Sequence, residues 1–182
     1  MRKLAFAAVL LAAPAHAGGI EITVEGQHTS GVIKIDLLED VAPNHAERIT
    51  QLASEGFYND VYFHRVIDGF MAQTGDGEMG KVGGDLRRAG TGGSEMGDLD
   101  AEFSDVPFER GVVGMARSQS PDSANSQFFI MFDEGAFLNG QYTVVGRVTE
   151  GLDVLDNIKR GDSSTLQVTG EPDKMVSVTV TE

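Results

Sequence analysis

The side chains with the most chemical potential lie in one stretch, Phe63–Asp76. Asp68-Gly69, a dipeptide common in tight turns, divides this stretch into two short predicted strands. Arg65 lies within an apolar run, where a charge is costly unless it is paired or near the surface. Alternation along the second strand places Met71 and Gln73 on one face. This mixture suits an apolar groove with a few polar contacts, although a plain hairpin is the simpler interpretation of this stretch alone.

A later run of strand-forming residues repeats the pairing of an amide with an apolar side chain. Alternation places Gln127 and Phe129 on one face of this strand. The opposite face is wholly apolar and is predicted to belong to the core: Phe128, Ile130 and Phe132. The two segments together therefore indicate a groove that combines Arg65, Gln73 and Gln127 with apolar side chains.

The residue types exclude most other kinds of chemistry. Cysteine is absent and no Gly-x-Ser-x-Gly motif occurs, so a nucleophilic triad is not indicated. Beyond the N-terminal leader the histidines are His28, His45 and His64, which lack the spacing of zinc ligands. We interpret His64 as a buried, hydrogen-bonded histidine. No dinucleotide-binding fingerprint follows a strand, so we expect neither a cofactor nor a metal.

The glycine-rich segment from Gly75 to Gly97 is predicted to be an irregular surface loop. Its Gly90-Thr91-Gly92-Gly93 run lacks the Lys-Ser/Thr ending and the strand–loop–helix context of a phosphate-binding loop. The nearby acids lack the spacing of a calcium-binding EF-hand loop.

The first 17 residues have the features of a secretory signal peptide. Arg2 and Lys3 precede a short apolar run, and Ala15-His16-Ala17 fits the small-x-small cleavage pattern. We predict cleavage after Ala17, which leaves residues 18–182 as a single domain. Removal of the two basic residues changes the formal net charge from −14 to −16, so we expect neither nucleic acid nor an anionic membrane as a partner.

Hydrophobic patterning predicts a mainly β domain. The predicted strands are Ile20–Val24, Val32–Leu37, Val61–Ile67, Phe70–Thr74, Gly111–Ala116, Gln127–Phe132, Tyr142–Val148 and Met175–Thr181. Two helices are predicted, one from Pro43 to Gly56 and one over Gly151–Lys159. Without regular strand–helix alternation a parallel sheet is disfavoured. Because closure removes exposed edges, we expect an eight-stranded antiparallel closed β-barrel capped by two α-helices.

One reaction needs no nucleophile, proton transfer or cofactor, namely rotation about an X-Pro peptide bond. Its barrier is about 18–20 kcal/mol because rotation destroys amide resonance, and unaided it takes roughly tens to hundreds of seconds. An arginine that hydrogen-bonds the twisted amide, beside an apolar socket for the proline ring, would stabilise the twisted state over the planar state.

The order and approximate spacing of five motifs resemble the cyclophilin peptidyl-prolyl isomerases. These motifs are Phe63-His64-Arg65-Val66-Ile67, Gly69-Phe70-Met71-Ala72-Gln73, Gly90-Thr91-Gly92-Gly93, Met115-Ala116-Arg117 and Ser126-Gln127-Phe128-Phe129-Ile130. The resemblance extends from about Ile20 to Thr181 and, with the leader, is similar to exported bacterial members. It implies a periplasmic isomerase of proline-containing, unfolded or partly folded polypeptides. We also expect a monomer, because no coiled coil or long exposed edge is evident.

The resemblance also implies roles for individual residues. Arg65 would be the catalytic arginine, Gln73 would bind the substrate backbone, and Arg117 would contribute its own backbone, leaving its side chain free to vary. The proline pocket would be formed by Phe70, Met71, Phe129 and Leu138. The neighbouring pocket would be lined by Ala116, Ser118 and Gln127, with Gly90 at its rim.

Two substrate-binding positions depart from many eukaryotic cyclophilins, since Phe137 replaces a tryptophan and Tyr142 replaces a histidine. We expect isomerisation to survive but cyclosporin to bind weakly, because the indole N–H donor is lost. The loop between Asp76 and Gly90 is longer than in compact members. Its insertion, Lys81-Val82-Gly83-Gly84, either extends the substrate groove or is a neutral surface insertion, and the second is favoured.

Two functions other than catalysis are compatible with parts of the sequence. A cyclophilin-fold chaperone or adaptor would hold proline-containing segments without turnover. Retention of Arg65 with the whole pocket favours the enzyme over this alternative. A small-molecule barrel finds no support in the motifs.

Overall fold

A computed structural model describes residues 18–162, 164–165 and 167–182. The predicted signal peptide, residues 1–17, lies outside the described residues. The strands are β1 Gly19–Glu25, β2 Ser30–Leu37, β3 Val61–Tyr62, β4 Arg65–Ile67, β5 Met71–Thr74, β6 Val112–Met115, β7 Phe128–Met131, β8 Val144–Glu150 and β9 Lys174–Thr181. The helices are α1 Pro43–Ser54 and α2 Leu152–Asp156. Within the described residues, no helix is long and apolar enough to cross a bilayer.

The strands form one curled antiparallel sheet in the order β3-β9-β1-β2-β8-β6-β7-β5-β4. The predicted mainly β antiparallel architecture with two helices is therefore confirmed, but the strands form a curled sheet rather than a fully closed barrel, because the end strands β3 and β4 do not pair with each other in the described part of the chain. The sheet has nine strands rather than eight, because the predicted strand Val61–Ile67 divides at Phe63-His64. Its first part pairs with β9 and its last part with β5, so one short run of chain provides both ends of the sheet.

The two ends of the sheet are joined by the chain itself and by the segment that precedes β9. The backbone N–H of Phe63 donates to the carbonyl of Asp173 at 2.9 Å, and the N–H of Val168 donates to the carbonyl of His64 at 3.1 Å. The N–H of Gly161 donates to the carbonyl of Val66 at 2.7 Å. This segment therefore supplies partners for backbone groups of β4 that a free edge would leave unpaired.

The inserted loop protects the outer side of β3. Lys81 forms a β-bridge with Val61, and the N–H of Val82 donates to the carbonyl of Asp60 at 3.0 Å. The N–H of Tyr62 donates to Gly80 at 2.8 Å. The insertion is a surface segment, as the favoured alternative predicts, with Lys81, Val82 and Gly83 exposed, and its pairing with β3 ties it to the sheet; its neutrality for function stays a prediction.

Apolar side chains fill the inside of the curled sheet. Buried members of this core include Ile22, Ile33, Phe63, Phe128, Ile130 and Val145. Helix α1 buries Ile49, Leu52 and Ala53, which recur at helical spacing, and α2 buries Leu155. A second apolar cluster lies behind the candidate site and contains Met71, Phe108, Val112, Phe129, Met131, Leu138 and Val144.

A residue distant in sequence caps the N-terminus of α1. Ala42, at the cap position, has no side chain that can bond the free amides of the first turn. Glu102 instead accepts hydrogen bonds from the backbone N–H groups of Asn44 at 3.2 Å and His45 at 3.1 Å. It also contacts Nδ1 of the buried His45 ring at 2.5 Å. The carboxylate thus fixes the start of the helix and holds the loop of Glu102 against it.

Candidate active site

Two adjoining pockets lie where β4, β5, β6 and β7 meet the loops that follow them. The first, which we call the proline pocket, has a volume of about 280 Å³ and is lined by Arg65, Phe70, Met71, Gln73, Ala116, Arg117, Phe129, Phe137, Leu138 and Tyr142. The second pocket has a volume of about 360 Å³ and is lined by Gln73, Gly90, Thr91, Gly92, Gly93, Ser94, Asp98, Ala116, Arg117, Ser118, Ser123, Asn125 and Gln127. Every site residue predicted from the sequence therefore lines one pocket or both, while the roles assigned to them stay predictions.

Strand register brings the residues of the proline pocket together. Arg65 on β4 lies opposite Gln73 on β5, and Gln73 lies opposite Phe129 on β7. On the other side, Phe129 pairs with Gly114 of β6. A Cβ atom on Gly114 would lie 2.5 Å from the Phe129 ring and 2.6 Å from the Phe108 ring, so only glycine permits this packing. The close approach of the two rings at Gly114 thus supports the pocket floor.

Aromatic rings form the apolar wall of the proline pocket. The Phe129 ring stacks on Phe108, with centroids 5.8 Å apart and planes at 21°, and meets Tyr142 edge-on at 5.8 Å. The ring centroids of Phe70 and Phe137 are 5.4 Å apart, and Phe137 is 65% exposed at the rim. The pocket therefore offers a fixed apolar floor and an exposed apolar lip, an arrangement that suits a proline ring.

Arg65 is the half-buried cation at the side of this pocket. Its Nη1 donates to Oε1 of Gln73 at 3.2 Å, and Nε2 of Gln73 donates to Oε1 of Gln127 at 3.0 Å. Nε2 of Gln127 in turn donates to the carbonyl of Gly92 at 2.8 Å. Burial lowers the pKa of Arg65, yet arginine stays charged at neutral pH. The guanidinium is thus held by one amide partner, with further N–H groups available to a substrate.

The Arg117 side chain is held in place by the Tyr142 ring and by backbone carbonyls. Its guanidinium carbon lies 4.3 Å from the centre of the Tyr142 ring. Nε and Nη2 donate to the carbonyl of Gln141 at 3.2 and 3.0 Å. Nη1 donates to the carbonyls of Ser118 and Gln119 at 3.0 and 3.3 Å. The side chain forms part of the boundary between the two pockets, and the expectation that its identity can vary from the family's usual Asn stays a prediction.

Asp76 organises the loop that borders the second pocket. Its side chain is fully buried and accepts hydrogen bonds from the N–H groups of Met79 at 2.8 Å, Gly90 at 2.7 Å and Gly92 at 3.0 Å. Burial alone would raise the pKa of Asp76, but these donors outweigh it and lower the pKa. The carboxylate is therefore committed to the backbone. In the described part of the chain, no group of three or more histidine or acidic side chains could hold a metal.

His64 lies beside Arg65 in sequence and beneath the loop at Gly90. The prediction that it is buried is confirmed, since the residue is 3% exposed. The prediction that it is hydrogen-bonded is not confirmed, because neither ring nitrogen has a partner of good geometry among the described residues, although the backbone of Tyr62 opposes the effect of burial on the pKa of the ring. A Cβ atom on Gly90 would lie 3.2 Å from Nε2 of His64, so the ring packs directly under the groove wall. Burial lowers the pKa of His64 to about 4 and keeps the ring neutral at pH 7.

Comparison with known proteins identifies the family. The family described as cyclophilin type peptidyl-prolyl cis-trans isomerase/CLD matches residues 20–180. The chain belongs to this family. A probable peptidyl-prolyl cis-trans isomerase of Brucella suis is 54% identical over 168 residues, which cover 91% of this chain and 86% of the relative. A peptidyl-prolyl cis-trans isomerase of Helicobacter pylori is 40% identical, with 72% of this chain and 77% of the relative covered.

Solved cyclophilin structures share the fold. A cyclophilin type isomerase of Cryptosporidium parvum matches with a TM-score of 0.74 and 26% identity over 90% of this chain and 97% of the other. The cyclophilin AquaCyp293 of Hirschia baltica matches with a TM-score of 0.70 and 27% identity over 90% and 74% of the two chains. The cyclophilin resemblance and the prediction of an isomerase are thus confirmed.

Several residues of the second pocket of this cyclophilin were missed by the sequence analysis. They are Thr91, Gly92, Gly93, Ser94, Asp98, Ser123 and Asn125. Asn125 is the most connected of them, because its Oδ1 accepts from the N–H of Ser94 at 2.9 Å and its carbonyl accepts from Arg48 at 3.2 Å. Its position at the end of a polar loop, directly before a strand, was the available signal. That signal could not reveal the contact with a helix far away in sequence.

Proposed function

We propose that this cyclophilin isomerises X-Pro bonds of exported, partly folded polypeptides in the periplasm, as a monomer, with Arg65 as the catalytic residue. The observation that carries the mechanism is the half-buried Arg65 guanidinium at the edge of an apolar pocket of about 280 Å³. Further support comes from the Cryptosporidium parvum isomerase that was crystallised in the presence of the dipeptide Ala-Pro. The predicted leader supports the proposed location.

The proposed mechanism is selective stabilisation of the twisted amide. The proline ring binds against Met71, Phe129 and Leu138, while the polar edge of the pocket faces the peptide backbone. Twisting ends the resonance of the amide, so its nitrogen becomes a hydrogen-bond acceptor that the Arg65 N–H groups can reach. The planar ground state lacks this acceptor, so the hydrogen bond lowers the barrier rather than merely tightening binding.

Three features keep the guanidinium ready for this role. Gln73 fixes one of its nitrogens, and within the described residues no carboxylate lies within 4.0 Å to compete for the others. Partial burial strengthens a hydrogen bond from the charge. Because the donor is already oriented, little reorganisation is needed when the amide twists.

The test is the cis-to-trans rate of an Ala-Ala-Pro-Phe peptide with the protein lacking residues 1–17. Arg65→Ala should lower kcat/KM by about 100-fold to 1,000-fold, the usual effect of removing one transition-state donor. Arg65→Lys keeps the charge but loses the planar fork, so it should recover only part of the rate. Arg147→Ala, which removes an arginine that lines neither pocket, is the matched control.

Each result discriminates between mechanisms. Acceleration that survives Arg65→Ala would preserve the activity and discard the role of Arg65. No acceleration by a folded sample would favour the non-catalytic proline-binding chaperone, and peptide affinity would then be measured instead. Periplasmic location is tested by fractionation and by N-terminal sequencing, which should show a mature chain that begins at Gly18.

A further inference from the structure

Arg117 places a fixed positive charge between the two pockets. It lines both of them, and its guanidinium is held over Tyr142 by four hydrogen bonds to three backbone carbonyls. Nη2 uses one of its two N–H groups in this network, which leaves one for a ligand. The guanidinium is therefore oriented before any peptide binds, although carbonyl partners do not cancel its charge.

The positive charge of Arg117, between the two pockets, is not paired with a carboxylate of the described residues. Among the described residues, no carboxylate lies within 4.0 Å of Arg117 or Arg65, whereas Arg110 pairs with Asp156 at 2.8 Å. The chain as a whole carries a formal charge of −14. Both guanidinium groups thus lie in one groove without a carboxylate partner among the described residues. In so acidic a protein they create a local region of positive charge.

We propose that Arg117 makes this isomerase prefer segments with a carboxylate close to the proline. The inference rests on the proposed function, in which the proline ring enters the pocket beside Arg65. A side chain flanking that proline must then cross the boundary that Gln73, Ala116 and Arg117 share between the pockets. A carboxylate there can accept the remaining N–H of Arg117 in a charge-assisted hydrogen bond.

Asp98 limits how far an acidic side chain can enter. It is an exposed residue that lines the second pocket, and its Oδ1 accepts from Nδ2 of Asn125 at 3.2 Å. A carboxylate deep in that pocket would meet this like charge, while one at the boundary meets Arg117. The preference therefore concerns acidic residues adjacent to the proline rather than acidic peptides in general.

The experiment compares peptides that differ only in one charged position. Glu, Gln and Lys are placed in turn at each of the two positions before proline and at the position after it. A salt concentration of about 0.15 M screens charges beyond roughly 8 Å, which suppresses repulsion from the distant acidic surface. At one position at least, kcat/KM should rank Glu above Gln above Lys, with about a fivefold to tenfold ratio of Glu to Lys.

Three variants test whether Arg117 and Asp98 determine the Glu-to-Lys ratio of kcat/KM. Arg117→Gln should bring the Glu-to-Lys ratio close to unity, while Arg117→Lys, which keeps the charge, should retain part of it. Asp98→Asn should raise the ratio, because it removes the like charge. A wild-type ratio near one at every position, or a ratio that Arg117→Gln leaves unchanged, would overturn the proposal.

The test separates this proposal from the proposed function. Acceleration of the Ala-Ala-Pro-Phe reference without any charge preference would overturn the role of Arg117 alone. Failure to accelerate the reference would overturn the isomerase mechanism, and the same Glu and Lys peptides would then be compared by their Kd values. Equal Kd values would also refute the carboxylate preference, whereas tighter binding of the Glu peptide that Arg117→Gln abolishes would support it.

Discussion

His64 should make the folded protein lose stability as the solution is acidified from about pH 6.5 to about pH 4. Its ring is buried and neither nitrogen has a partner among the described residues, so burial lowers its pKa to about 4 from an ordinary 6.5. The unfolded chain therefore takes up the proton first. The contribution of His64 to stability is complete above about pH 6.5, decreases as the pH falls, and does not change further below about pH 4.

The size of this loss follows from the two pKa values. A span of about 2.5 pH units, at about 1.4 kcal/mol for each unit, gives roughly 3.5 kcal/mol as an upper limit. A domain of this size has a total stability of about 5–15 kcal/mol, so a single imidazole would account for much of its acid sensitivity.

The assay is urea unfolding of the wild type and of His64→Leu at about pH 7 and about pH 4.5. Leucine has a similar size, cannot titrate and removes two unpaired nitrogens, so stability at pH 7 should be equal or higher. At about pH 4.5 the variant should exceed the wild type by about 2 kcal/mol more than it does at pH 7. Val66→Ala, in the neighbouring core, should cost about 2 kcal/mol at both pH values.

Two results would refute this reasoning. The first is a pH dependence of stability that His64→Leu shares with the wild type, because the buried imidazole would then not be its source. The second is an NMR titration of the His64 ring with a midpoint near pH 6.5, which would show that the ring is hydrated in the folded protein.

Two further predictions concern carboxylates that bind backbone amides. Asp76→Ala should cost about 2–4 kcal/mol in urea unfolding and should speed amide exchange at Gly90 and Gly92, because buried donors lose a charged acceptor. Unchanged exchange at those two glycines would contradict it. Glu102→Ala should cost about 1–2 kcal/mol near pH 7, because the first turn of α1 loses its acceptor. Burial would raise the pKa of Glu102, but its hydrogen bonds with His45 and Asn44 lower that pKa. The stability that the cap provides should therefore be lost as the pH falls through the lowered pKa. A difference that persists at acid pH would refute the capping role.

The candidate site could be predicted because its residues are concentrated in short strands. Alternation alone placed Met71 with Gln73 and separated Gln127 and Phe129 from the core face of the same strand, and the pockets confirm this division. In a strand, neighbouring side chains point to opposite faces, so a few residues suffice to assign both surfaces. The family resemblance then joined these faces into one groove.

Features that depend on long-range contacts could not be predicted in the same way. The run Val61–Ile67 is uniformly strand-forming, and only its contacts with the segment before β9 show that it divides at Phe63-His64. Glu102 caps the first turn of α1 by accepting from the N–H of Asn44, which lies 58 residues earlier in the chain. Nothing local in sequence identifies partners at such separations, because the geometry that joins them belongs to the folded sheet.

A series of hydrogen bonds connects Arg65, the proposed catalytic residue, to Asp76, whose carboxylate organises the loop at the second pocket. Arg65 donates to Gln73, Gln73 to Gln127, Gln127 to the carbonyl of Gly92, and the N–H of Gly92 to Asp76. The first three bonds point the same way and each polarises the next, and Gly92 then joins them to Asp76 through its backbone, since its carbonyl and its N–H belong to neighbouring peptide groups. The loop therefore does more than protect an edge of the sheet. Its Asp76 carboxylate also fixes Gly92, whose carbonyl holds Gln127 in the series of hydrogen bonds that ends at Arg65. A change at Asp76 should for this reason reach kcat as well as stability, even though Asp76 lines neither pocket.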